Sequence, residues 1–106
     1  MNELAIVYAV FPSAGEALDC CRALLAEGLI ACANRLPPVI SHYRWEGEVE
    51  TAEEHPVILK TTTARQGDVI DRVARLHRHK VPAIMSWQVD VAHPAYAQWV
   101  AAEVSA

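Results

Sequence analysis

The chemistry this sequence can offer lies in its histidines and in one cluster of carboxylates beside aromatic rings. Of five histidines, at 42, 55, 77, 79 and 93, His77 and His79 are closest, two residues apart and just ahead of Val81-Pro82. Helical ligand pairs normally sit four apart on one face, as in H-E-x-x-H. His77 and His79 can therefore share a metal only if a helix ends at that point. Pro82 favours such an end, because helices tend to stop at or before the residue preceding a proline. Imidazole suits copper, zinc and nickel, so a divalent metal at His77 and His79 is one expectation, and a surface or packing role for both rings is the other.

The second group is Tyr43, Trp45, Glu46, Glu54 and Lys60. A carboxylate and an ammonium beside an aromatic plane can line a pocket for a small polar or anionic effector. Glu54 and Lys60 are an even number of residues apart, so an unbroken strand puts them on one face. Trp45, Glu54 and Lys60 are thus the candidate binding residues. The plainer alternative is a pleated surface with a salt bridge, its aromatics packed at a subunit contact. Catalysis needs a nucleophile with an adjacent base, or two acids with separated pKa values. Cys32 with His77 is the one pairing worth naming, and Cys32 falls in a strand that reads as buried. The sequence reads as a binding or assembly module and not as an enzyme.

These residues need elements to position them. Leu4–Phe11 is a short apolar run, as in a strand covered on both faces, and Pro12 ends it. Ser13 and Glu16 form the S-x-x-E capping box of a first helix. Ala17, Leu18, Cys21, Leu24 and Leu25 recur at helical spacing, and Gly28 supplies the left-handed stop. Leu29–Leu36 and Val39–Trp45 read as strand, with Pro37-Pro38 marking a bulge or an edge. Gly47 turns the chain and Glu48–Thr62 returns as a long strand, where Pro56 again predicts an edge or bulge. Thr63 and Gln66 repeat the capping pattern ahead of a second helix with Val69, Ile70, Val73 and Leu76 on one face. Ala83–Val91 reads as a strand, and His93-Pro94 opens a last helix carrying Tyr96, Trp99 and Val100.

The order is β-α-β-β-α-β with a C-terminal helix, an α+β ferredoxin-like fold: one antiparallel sheet with helices on one face. The central hairpin exceeds the usual strand of about 5–6 residues by far, and a small domain cannot cover it alone, so the excess should pair with another copy of the chain.

The 106 residues, 53% apolar and 21% charged, fit one folded domain spanning 1–106. A net charge of −4 with scattered basic residues argues against nucleic acid as a partner. No apolar run reaches the ~20 residues of a membrane span, and Met1-Asn2-Glu3 lacks the positive start of an export signal. A cytoplasmic protein is expected. Cys20, Cys21 and Cys32 are odd in number and two are adjacent, which fits reduced, buried thiols better than a disulfide framework.

The chain resembles the CutA divalent-cation-tolerance proteins over nearly its whole length. The resemblance rests on Ala31-Cys32-Ala33-Asn34, Tyr43-x-Trp45-Glu46-Gly47 followed by Lys60-Thr61, then Leu76-His77, Val81-Pro82 and the closing Tyr96-x-x-Trp99. It implies a homotrimer with interlocked hairpins, a part in tolerance to divalent metals, copper especially, and metal binding in some members. Its trimer is also similar to that of the PII signalling proteins, which bind small effectors at subunit clefts. The family usually reads H-P-Y-E-V-P-E where this chain has His77-Arg78-His79-Lys80-Val81-Pro82-Ala83. Some members place a cysteine ligand near the end of the first strand, where this chain has Tyr8-Ala9-Val10-Phe11. Metal ligation carried over from the family therefore falls on His77, with His79 as a local addition.

Overall fold

A computed structural model describes residues 3–104; the reading of Met1-Asn2 as the start of an unexported chain lies outside them. The elements run β1 (Leu4–Phe11), α1 (Ala14–Ala26), β2 (Cys32–Arg35), β3 (Val39–Trp45), β4 (Glu48–Thr62), α2 (Gln66–Leu76), β5 (Ile84–Gln88) and α3 (Pro94–Glu103). The sheet order is β2-β4-β1-β5, with β3 also on β4, and all pairings are antiparallel. This is the expected ferredoxin-like α+β arrangement.

β1 alternates between two environments. Val7, Ala9 and Phe11 face α1 and α2, where they pack with Cys20, Leu24, Val57, Leu59, Val69 and Val73. Leu4 points to the other face and joins Val100 of α3 and Val104, the residue after it, in a separate small cluster. The closing helix thus covers one end of the face that α1 and α2 leave bare. Met85 and Trp87, on that bare face, remain exposed.

The start and stop of α1 follow their sequence signals. Ser13 caps it by accepting the Glu16 amide at 3.2 Å, and its hydroxyl donates to the Glu16 carboxylate at 2.7 Å. Gly28 takes φ 72°, with Leu29 N–H bonding Leu24 C=O and Gly28 N–H bonding Leu25 C=O, a Schellman stop. That stop consumes Leu29, which is one reason β2 begins at Cys32 and not at Leu29. The second capping pattern does not form. Thr63–Arg65 is a 3₁₀ turn with no side-chain cap, and Gln66 instead donates to Ser86 Oγ at 2.6 Å. A nearby hydroxyl on β5 wins its side chain from the local backbone.

The hairpin turns at Glu46 (φ 49°) and Gly47 (φ 83°), the double positive φ of a type I′ turn. β3 pairs Val39 with Glu54, whereas β2 pairs Arg35 with Val57. Residues 36–38 thus oppose only 55–56, and Pro37-Pro38 is the predicted bulge. Pro56 is not at an edge: it is buried in β4, which has neighbours on both sides. Its carbonyl accepts from Leu36 N–H at 3.0 Å, so the N–H it lacks would point into the bulge, where the ladder is already interrupted. β5 is shorter than Ala83–Val91, because its pairing stops where β1 begins.

Candidate functional site

A cleft of about 680 Å³ opens between the β3–β4 ribbon and the segment after α2. Register builds the ribbon wall. Tyr43 faces Glu50, Trp45 faces Glu48 and Val39 faces Glu54, so the odd residues of β3 share a face with the even residues of β4. Tyr43, Trp45, Glu50 and Glu54 line the cleft from that side. The opposite wall is Arg78, His79, Lys80 and Val81.

His77 holds this second wall in place. The chain leaves the helix there with extended backbone (φ −81°, ψ 139°), while its N–H still reaches Val73 C=O at 2.9 Å. The ring is buried and stacked on Phe11, centroids 4.7 Å apart. Nε2 donates to Val10 C=O at 2.6 Å and Nδ1 accepts the His79 amide at 3.2 Å. These partners assign the proton to Nε2, and they leave neither nitrogen lone pair open to an incoming ion. His77 therefore lies behind the cleft and not in it. Arg78 donates to the Glu16 carboxylate at 3.0 Å, and the Ser13 hydroxyl first, with Arg78 second among its helpers, holds the Glu16 carboxyl below its ordinary range. The His79 ring leans on His77, centroids 4.9 Å apart, and no hydrogen bond to its ring nitrogens occurs among the described residues.

The expected site residues thus divide. Trp45, Glu54 and His79 come together at the cleft, while His77 supports one wall from beneath. Lys60 shares the strand face of Glu54 but lies farther along β4, opposite Cys32 and Ile6. Its ammonium donates to Asn34 Oδ1 and to Cys32 Sγ, the latter at 3.7 Å. Cys32 also meets Tyr96 Oη at 3.6 Å; burial, then the thiol, push the Tyr96 phenol up to about 12. Cys32 and His77 are not brought together, so the nucleophile–base pairing does not form. Cys20 and Cys21 are buried free thiols, and burial pushes Cys20 up to about 12. No group of three or more His, Cys, Asp or Glu side chains that could hold an ion occurs among the described residues.

Glu50 and Lys80 line the cleft without having been among the candidate binding residues. Alternation along the ribbon carries the signal for Glu50, which faces Tyr43 across the strand pair. Lys80 gives none, because its place depends on a contact between His77 and Val10, 67 residues apart.

Comparison with known proteins settles the family. The sequence profile described as CutA1 divalent ion tolerance protein matches residues 5–103. The chain belongs to the CutA1 family. A divalent-cation tolerance protein CutA from Pyrococcus horikoshii is 38% identical over 100 residues, covering 94% of this chain and 97% of the relative. The crystal structure of CutA from Xylella fastidiosa superposes with a TM-score of 0.93 at 31% identity, covering 97% of this chain and 99% of that one. A CutA structure from Archaeoglobus fulgidus, described as a periplasmic divalent cation tolerance protein, gives 0.92 at 29% identity, with 96% and 99% covered. CutA1 proteins are described by ion tolerance and not by a reaction. No helix among the described residues is long and apolar enough to cross a membrane.

Proposed function

We propose that this CutA1-family chain, one domain over residues 1–106, acts in the cytoplasm as a homotrimer that binds Cu(II), or Zn(II) less tightly, without catalysing a reaction. The observation that carries the metal reading is the cleft itself. It sets the His79 imidazole, whose ring nitrogens are free of hydrogen bonds among the described residues, across from the carboxylates of Glu50 and Glu54. Imidazole and carboxylate are both ligands for these ions, and N/O sites generally hold Cu(II) more tightly than Zn(II). With so few donors the binding is weak. Of the two expected ligands, His79 takes the metal and His77 positions its backbone.

Assembly with other copies is supported by the ribbon and by the bare sheet face. Ile40 and Val49 are 60% and 71% exposed on the ribbon, and Met85 is 62% exposed on β5. A cytoplasmic setting is supported by three free cysteines and no disulfide among the described residues.

Titration of Cu(II) into the untagged protein, followed by native mass spectrometry and calorimetry, tests the metal reading. Uptake of about one ion per chain is expected, and His79→Ala should abolish it. Undiminished uptake by His79→Ala would remove this site.

A further inference from the structure

The two faces of the ribbon differ in charge. On the face that lines the cleft, Tyr43 lies across from Glu50, Trp45 from Glu48 and Val39 from Glu54, so the ribbon brings carboxylates there and no base. The other, outer face carries the cross-strand pairs Ile40–Glu53, His42–Thr51 and Arg44–Val49. There Arg44 balances Glu53, and Ile40 and Val49 are largely exposed apolar side chains. Two cleft faces brought together would set carboxylate against carboxylate, which opposes association. Two outer faces brought together would leave the rings and charges of the cleft uncovered. A cleft face against an outer face avoids both faults. Tyr43, Trp45 and Val81 offer apolar surface in the cleft, with Glu50 and Glu54 on one wall and Lys80 on the other. Neither Lys80 nor Arg44 forms an ion pair among the described residues, and Glu53 stays 63% exposed beside His55.

We propose that the cleft of one copy seats the outer face of a second copy's ribbon, the partner's Glu53 pairing with Lys80 and the partner's Arg44 turning to Glu50 and Glu54. This rests on the assembly reading given above and names the contact that makes it. The partner's Ile40 and the partner's Val49 then lie against Tyr43, Trp45 and Val81. Within one chain Glu53 is on the ribbon face turned from the cleft and Lys80 is across the cleft, so their pair forms only between copies. Each copy gives one ribbon face and receives on the other. Such a head-to-tail contact is not a two-fold one, and repeated around an axis it closes into a ring. Copper at His79 draws on the same carboxylates, so the contact is tested on metal-free protein.

The test is a charge reversal read by subunit exchange. Untagged full-length protein is prepared with and without isotope labelling, and native mass spectrometry follows the mixed oligomers with time. Lys80→Glu and Glu53→Lys, each alone, should speed exchange by at least about tenfold, because like charges then face each other at every contact. Both side chains are exposed, so circular dichroism should show the fold of each variant unchanged. The double variant Lys80→Glu/Glu53→Lys restores opposite charges between copies and should bring exchange back to within about threefold of wild type. A single variant that falls to monomer also supports the contact when the double variant reassembles. An oligomer whose exchange ignores Lys80→Glu overturns this seating and leaves assembly standing, by outer faces if Glu53→Lys alone matters. A double variant that exchanges as fast as the singles, or stays monomeric with them, overturns it too. A monomeric wild type removes the assembly reading as well.

Discussion

One strand, β4, passes through two different environments. Its second half, residues 55–62, pairs with β1 along its whole length and with β2 from Val57 to Lys60, and it buries Val57, Leu59 and Thr61. Its first half, Glu48–Glu54, pairs only with β3 and is exposed over most of its length. An isolated two-stranded ribbon is marginal in water. The ribbon therefore adds little to the stability of one chain, and its exposed apolar residues gain most when another molecule covers them. The body holds the fold, and the ribbon with the 78–81 segment walls the cleft.

Substitutions along the strand should separate the two roles. Leu59→Ala removes a fully buried side chain from the core between sheet and helices, and should cost about 2–5 kcal/mol in urea denaturation. Val49→Ala on the ribbon should shift the stability of a dissociated chain by no more than about 0.5 kcal/mol. A large loss at Val49 under those conditions would mean that the ribbon shares the core's cooperativity.

The join between the two regions comes next in size. His77→Ala leaves the Val10 carbonyl and the His79 amide without their partner, a loss of about 1–3 kcal/mol. His77→Gln should recover part of that stability while the copper affinity of the cleft tracks the recovery. A His77→Gln protein that is stable but has lost copper would mark His77 as a ligand after all.

A smaller effect lies wholly within the body. Ser13→Ala removes the α1 cap, and should cost about 1 kcal/mol. It also removes the main cause of the lowered Glu16 pKa. A lowered carboxyl contributes stability that is present above its unfolded value, about 4.3, and is lost as pH falls through the folded value. The wild-type protein should therefore lose stability on acidification below about 4.3 more steeply than Ser13→Ala does. Parallel acid limbs in the two proteins would show that Glu16 gains nothing from the cap.

Much of the body was legible because its signals are local. The Ser13-x-x-Glu16 start and Gly28 stop of α1, the Glu46-Gly47 turn, the limits of β1, β3 and β4, and the start of α3 all follow from neighbouring residues. Thr63 and Gln66 misled because a residue far along the chain, Ser86, claimed the glutamine. Pro56 misled because a proline in a central strand is tolerated when its missing donor points at a bulge beside it, here residues 36–38 between β2 and β3. The site was half legible for the same reason. Strand alternation put Trp45 and Glu54 on one wall, but the other wall is set by a histidine reaching a carbonyl 67 residues away. Lys60, on the right strand face, found Asn34 and Cys32 before it could reach the cleft.

The direct test of this division between body and ribbon is the mass of the untagged protein in solution at micromolar concentration, by native mass spectrometry with sedimentation velocity as a check. The account predicts a trimer, with ribbons and bare sheet faces covered by other copies. A stable monomer would contradict it, because the ribbon would then keep its shape and its exposed apolar residues with no partner.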